Sequence, residues 1–388
     1  MKFDAGPRAA LMVLSSIIEP GEAELDDFLG EVGPVAAVEA IWERDLPERL
    51  HHLTSAVVER IRDPVAHADE LRSAGDSCGA TVLIPTDPQW PQRLHELQLL
   101  ATEDQPHLRP PRCLWVRGAT NLSAICERSI SIVGARAASD YGRFVSDQLA
   151  GDLGEAGWTI VSGGAYGIDR AAHLGAVSRE ATTVAVLAGG VDRPYPSGNA
   201  RLFELIEQRG SLVSEWPPGC EPRRYRFLIR NRAIAALSVG TVVVEAAPRS
   251  GAKHTARLAA ELDRTLMYTP GPITSITSAG VHQLARECWE PRLVTSAAEV
   301  IADVSGFIPE PVFPGAADNR PLDGWDHDCV RIYEALCPGW VREETELAAE
   351  VGLPVTHARE CLMNLAAAGW VAEVNGRWKP LRAGIPPQ

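Results

Sequence analysis

The chain has 388 residues, too many for one ordinary hydrophobic core, so two or three domains are expected. A 45% hydrophobic and 23% charged composition excludes a disordered polymer. A formal charge of -14 argues against wrapping duplex DNA with the whole surface, but leaves room for one basic groove. No stretch approaches the roughly 20 apolar residues that span a bilayer. The start, MKFDAGPRAALMVLSSIIEPGEAE, has Asp4, amphipathic spacing and no small-residue cleavage site, which argues against a signal peptide. Eight cysteines, at 78, 113, 126, 220, 288, 329, 337 and 361, include no Cys-x-x-Cys pair. That pattern fits buried thiols in a reducing cytoplasm rather than zinc or a disulfide frame, so no metal or other cofactor is expected.

In chain order, residues 1–78 read as a small helical domain. Apolar residues recur at helical spacing (Leu11, Leu14, Ile18; Leu25, Phe28; Val38, Ile41), broken at Pro20-Gly21 and Gly33-Pro34. Residues 79–305 form the central domain. After a short strand at Thr81–Pro85 and a proline-bearing loop, PHLRPPRCLWVRG, six β-branched runs alternate with helical patterns. They are Ile130–Val133, Thr159–Val161, Thr183–Leu187, Leu212–Val213, Thr241–Val244 and Leu266–Tyr268. This alternation predicts an α/β, doubly wound and mainly parallel sheet covered on both faces, with ligand sites beyond the carboxyl ends of its strands. Residues 306–323 are a proline-rich linker. Residues 324–388 read as three helices and a hairpin about Asn375-Gly376, the winged helix-turn-helix order.

Three glycine loops and one arginine segment carry the chemistry. In SIVGARAASDYG a strand runs into Gly134, Arg136 follows, and Ser139 or Asp140 is placed to cap a helix, an arrangement suited to an anion. The spacing is neither a dinucleotide fingerprint nor a P-loop. In VSGGAYGIDRAAHLGA, Asp169 and His173 stand four apart, read as a helix pair that orders the loop rather than as catalytic groups. LAGGVDRPYPSGNARL carries Arg193, Tyr195, Asn199 and Arg201, with Asp192 beside Arg193 as a local ion pair. In EPRRYRFLIRNRAIAALSVGTVVVE, Arg223, Arg224, Arg226, Arg230 and Arg232 fall within ten residues that contain no carboxylate. Guanidinium matches phosphate bidentately, and Tyr225 and Phe227 offer flat faces to unpaired bases. A salt-bridged surface is the competing reading.

Together with VVVEAAPRSGAKHTA and TPGPI, these segments resemble, in order, the bacterial DNA-processing protein A family (DprA, also called Smf). The resemblance implies a Rossmann-like core, a SAM or helix-hairpin-helix-like N-terminal region and a winged-helix C-terminal region. It further implies binding of single-stranded DNA, a homodimer, and help in delivering the RecA recombinase onto incoming DNA during natural transformation. By position, Arg136 looks like a phosphate ligand, and Ser162, Gly163 and Gly164 look like backbone donors to the strand. Arg224 falls at a basic contact and Phe227 at an aromatic that packs on a base. Arg230, Asn231 and Arg232 form the Arg-Asn-Arg signature, with Asn231 equally suited to pinning its loop. Where relatives carry a basic residue in the third loop this chain has Ser197 and Gly198, leaving Arg193 or Arg201 to substitute. Lys253 either adds a phosphate contact or is solvated.

Two other readings compete. A nucleoside-monophosphate phosphoribohydrolase has a sheet of this kind, but LSVGTVVVEAAP lacks that family's glycine run before Glu245. No nucleophile–base pair is visible, so no enzyme is expected. A duplex-reading regulator would use the third C-terminal helix, yet His357, Arg359, Glu360 and Asn364 give it little excess positive charge.

Overall fold

The computed structural model describes residues 2–102, 105–119, 121–287, 292–306, 325–336 and 341–381. It comprises two compact units, Met1–Ile308 and Pro309–Gln388. The expected linker falls outside the described residues, apart from Gly306.

The first unit opens with α1 (Gly6–Ile17), α2 (Ala23–Val32), α3 (Pro34–Glu43), α4 (Glu48–Arg60) and α5 (Pro64–Ser77). The breaks fall where sequence places them. Gly33 has φ 80° and ends α2, and Pro34 starts α3 at a position where its missing N–H costs nothing. These helices are not packed only on one another. Leu14, Leu25 and Ile41 share a core with Trp115 and Leu187 of the sheet and with Phe203 of the helix at Ala200–Arg209.

The sheet contains β1 (Ala80–Leu83), β2 (Leu114–Gly118), β3 (Ser129–Val133), β4 (Thr159–Ser162), β5 (Thr183–Leu187) and β6 (Ser211–Ser214). It continues with β7 (Gly240–Val243), β8 (Thr265–Tyr268) and β9 (Arg292–Leu293). Helices α6 (Leu122–Glu127), α7 (Asp140–Glu155), α8 (Ile168–Ser178), α9 (Ala200–Arg209) and α10 (Arg224–Leu237) connect strands up to β7. Beyond it come α11 (Ala252–Glu261), α12 (Ile276–Glu287) and α13 (Ala297–Ser305). Strand order is β1-β2-β6-β5-β4-β3-β7-β8-β9, parallel from β6 to β9 and antiparallel at β1 and β2. Strand β2 was not expected, because the prolines of its segment suggested a loop. They lie before the strand, and Leu114, Trp115 and Val116 are buried on both faces.

Alternation along the central strands feeds two cores. Val133, Val161 and Val243 face α10 through Ala233, Ile234 and Leu237, while Ile130, Ile132 and Ile160 pack with Leu149, Leu153 and Ala172 of α7 and α8. From β3 the chain winds outward through β4, β5 and β6, then returns to the other side of β3 with β7 and β8. The sheet therefore reverses its winding between β3 and β7, and a crevice at their carboxyl ends follows from that topology.

The second unit has α14 (His327–Glu334), α15 (Glu344–Val351), α16 (Val355–Ala367), β10 (Val371–Val374) and β11 (Arg377–Pro380). Asn375 and Gly376 both have positive φ, as a two-residue type I′ turn requires. Ile332, Leu347, Leu362 and Trp378 form its core. Among the described residues no helix is long and apolar enough to cross a membrane.

Candidate nucleic-acid interface

At the winding reversal lies a cleft of about 1010 Å³. Gly134, Arg136 and Ala137 line it from the β3 end. Arg224, Phe227, Arg230 and Asn231 line it from α10, and Arg249, Ser250 and Gly251 from the turn before α11. Arg136, Arg224 and Arg249 are exposed.

Helix α10 begins against the usual preference. Its N-cap, Arg223, supplies no capping side chain, and its first turn carries Arg224 and Arg226 with no acid. Cations beside the positive end of a helix dipole are unfavourable, and uncapped N–H groups there favour an anion. Part of the strain is relieved by Glu19, from the break between α1 and α2. Its carboxylate accepts from Arg226 Nε at 3.1 Å, Tyr225 Oη at 2.7 Å and Trp216 Nε1 at 2.8 Å. Although burial opposes it, these donors hold the Glu19 carboxyl below its ordinary range. Tyr225, expected to offer a face to a base, has its hydroxyl in this clamp and remains exposed. Helix α11 also has no acid in its first turn, and Ser250 Oγ accepts from the Ala252 N–H at 3.3 Å at its start.

Phe227 sits at the centre of the cationic lining. The guanidinium carbon of Arg136 is 4.9 Å from its ring centre and that of Arg230 is 5.9 Å away. Tyr195, 52% exposed, meets the ring edge-on at 5.9 Å and 66°. Arg230 itself is buried. Its Nη1 donates to the Val186 carbonyl at 2.7 Å, and its Nε has no partner among the described residues. Burial lowers its pKa to about 10, with Asp169 opposing and Arg136 adding to the fall, so it remains a cation at neutral pH. The absence of a side chain at Gly163 makes this seat possible, since a Cβ there would stand 1.8 Å from Nη1.

The second glycine loop is held from below. Asp169 is buried and accepts from the N–H of Gly163 at 3.2 Å and of Ala165 at 3.4 Å. Burial raises its carboxyl pKa against the pull of Arg230 and those amides. The expected pairing with His173 is replaced by two separate roles. His173 Nδ1 lies 2.7 Å from Thr183 Oγ1, and burial drives its pKa down to about 3, with Arg230 contributing. Glu245, the residue a phosphoribohydrolase would need, is buried. It accepts from Ser139 N at 2.9 Å, Ser139 Oγ at 2.6 Å and Thr277 Oγ1 at 2.9 Å, anchoring the start of α7.

The chain that carries this cleft is similar to known proteins over most of its sequence. The family model for DNA recombination-mediator protein A covers residues 81–305. A DNA processing protein DprA from Mycobacterium tuberculosis is 39% identical over 96% of this chain and 94% of its own length. The chain belongs to the DprA/Smf family of DNA recombination mediators. Protein Smf of Escherichia coli is 36% identical over 77% of each chain. The solved DprA of Streptococcus pneumoniae, 28% identical, superposes with a TM-score of 0.58, covering 78% of this chain and 99% of that one. DNA processing protein A of Helicobacter pylori, solved to address its single-stranded DNA binding mode, is 26% identical. It gives a TM-score of 0.50 over 58% of this chain and 96% of its own.

Set against the contacts expected from family resemblance, the remaining side chains divide. Arg136, Arg224, Phe227, Arg230 and Asn231 come together on one cleft, with Asn231 Nδ2 3.5 Å from the Gly251 carbonyl oxygen. Arg193, in the same loop as Tyr195, is 81% exposed at its side chain and 3.6 Å from Asp192. Ser162 is buried and donates to the Ile132 carbonyl at 2.7 Å; Gly163 and Gly164 are buried as well. Arg232 is fully buried and turned away from the cleft. Its two terminal nitrogens donate to Glu215 at 2.6 and 2.7 Å and its Nε to the Arg109 carbonyl at 2.8 Å. Lys253 lies on α11 facing α12, bonded to Gln283 at 3.0 Å. Arg249 was not singled out in the sequence, although PRSG stands between a strand end and a helix start much as GARAAS does.

Proposed function

We propose that this family member binds single-stranded DNA in the β3–β7 cleft, without turnover, and hands the strand to a RecA-type recombinase. The observation that carries this reading is the uncapped, acid-free start of α10, which shares one cleft with Arg136, Arg230, Arg249 and the ring of Phe227. Arg136, Arg224 and Arg249 are the proposed phosphate contacts. Arg230 supplies a fixed buried charge, and Phe227 stacks on a base, a contact worth about 1–3 kcal/mol and tolerant of sequence. Asn231 holds α10 to the turn before α11. Gly163, Gly164 and Ser162 shape the wall from behind rather than donating to the strand. Arg193 is reserved for the strand's exit past Tyr195, and Arg232 and Lys253 are left out of the contact set. Action in the cytoplasm, on incoming DNA during natural transformation and as a homodimer, completes the reading that family membership favours.

Neither competing reading gains from the geometry. The Glu245 oxygens are engaged in holding α7, which ties up the carboxylate that glycosidic chemistry would need. On α16, Arg359 is bonded to Glu344, and His357 stands 3.1 Å from Asp328. That helix presents little free cation to a major groove. The deciding experiment compares single-stranded and duplex oligonucleotides by anisotropy at several salt concentrations. Preference for the single strand, with affinity falling as salt rises, is the expected result. Equal binding to both would sink the proposal.

A further inference from the structure

Outside the cleft, the second unit gathers three kinds of metal-ligating residue, cysteine, aspartate and histidine, in two groups that share Asp326. Cys329, in the first turn of α14, and Cys361, in the middle of α16, are buried and unoxidised. Asp326, the N-cap of α14, brings a carboxylate oxygen within 4.8 Å of both sulfurs, which lie equally close to each other. The Asp326 carboxylate also stands within 4.8 Å of ligand atoms of Asp328 and His357. His357 precedes Cys361 by four residues on α16, one turn along the same face. An Asp-x-x-Cys arm thus meets a His-x-x-x-Cys arm, and two-arm spacings of this kind are those of tetrahedral zinc sites. The cluster opens outward through exposed Asp326 and half-buried His357, which gives an ion a way in.

We propose that this cluster is a structural Zn²⁺ site. Cys329 and Cys361 bind as thiolates and Asp326 through one oxygen. His357 completes the tetrahedron by turning its ring from Asp328 toward the ion. Two sulfurs select zinc over calcium or magnesium, which take oxygen ligands. The ion ties α14 to α16, a useful staple for a unit whose core is small.

The test uses the full-length chain, stripped with a chelator and titrated with Zn²⁺ or Co²⁺. One equivalent of each should bind tightly. The cobalt form should show the visible bands of tetrahedral Co²⁺ and thiolate charge transfer in the near ultraviolet. Cys361→Ser and Cys329→Ser should abolish the charge transfer, whereas Cys78→Ser, in the first unit, should leave it unchanged. Asp326→Asn retains a helix-capping side chain and serves if the cysteine variants fail to fold. It should weaken zinc binding on the order of tenfold while leaving metal-free melting unaltered. Stoichiometry well below one, cobalt bands without sulfur charge transfer, or Asp326→Asn binding zinc as tightly as the native chain would each overturn the assignment.

Discussion

The guanidinium of Arg136 lies 4.9 Å from the centre of the Phe227 ring, so one of the exposed cations of the cleft rests on its central aromatic. Substituting each residue separates stacking from charge. Phe227→Ala should lose about 1–3 kcal/mol of single-strand binding with the salt slope preserved. Arg136→Ala should flatten the slope by roughly 0.7 log units per log unit of salt. Anisotropy titrations across a salt series measure both, and a flattened slope in Phe227→Ala would mean that the ring only positions arginines.

Arg249 offers a sharper check, because family resemblance did not single it out. Arg249→Ala should also flatten the slope by roughly 0.7. An unchanged slope would remove the β7–α11 turn from the path of the strand.

Gly163→Ala should mimic a lesion at Arg230. The added methyl stands where Nη1 now sits, so the guanidinium must leave its bond to the Val186 carbonyl. A stability loss of about 1–3 kcal/mol is expected, together with weakened strand binding. In Gly163→Ala/Arg230→Ala the binding losses should be less than additive. Full additivity in the double variant would show that the glycine acts independently of the arginine.

Arg232 and Arg224 should behave oppositely. Arg232→Ala leaves Glu215 buried without its counter-ion and should cost about 3–5 kcal/mol in denaturant unfolding, with the salt slope of the folded fraction intact. Arg224→Ala should leave stability near native and weaken binding. Reversal of that pattern would exchange their roles.

His173 makes a prediction about acid. Its folded pKa, about 3, lies below the ordinary value of 6.5 because the ring is buried, so the unfolded chain takes up the proton first. This residue's contribution is therefore constant above pH 6.5, and stability falls as pH drops from there toward 3. Replacing His173 by Gln should flatten that limb of a melting-versus-pH curve. An equally steep limb in the variant would assign the acid sensitivity to other groups.

Much of the fold was readable because β-branched runs separated by helical spacing have few other solutions. Six strands fall where those runs lie, and the two cores follow from alternation at positions such as Ile132 and Val133. Strand β2 escaped because Pro110 and Pro111 masked a strand that starts just beyond them. Within the arginine segment, sequence could not separate Arg230 from Arg232. Two residues along a helix are about 200° of rotation, so one faces the cleft and the other Glu215, in the half of the helix from Arg230 to Leu237 that is buried all round. Asp169 and His173 were legible as neighbours but not as holders of different partners. The ligand cluster of the second unit was invisible for a related reason, since its two arms are joined only by the packing of α14 against α16.

Glu19 sits some two hundred residues ahead of the helix it steadies. Trimming the leading segment, even with every cleft residue spared, would strand the Arg226 charge in a half-dry niche and unmoor the rings of Trp216 and Tyr225. The amino-terminal segment is thus a strut for the first turn of α10, and shortened versions of this chain would report on a loosened cleft.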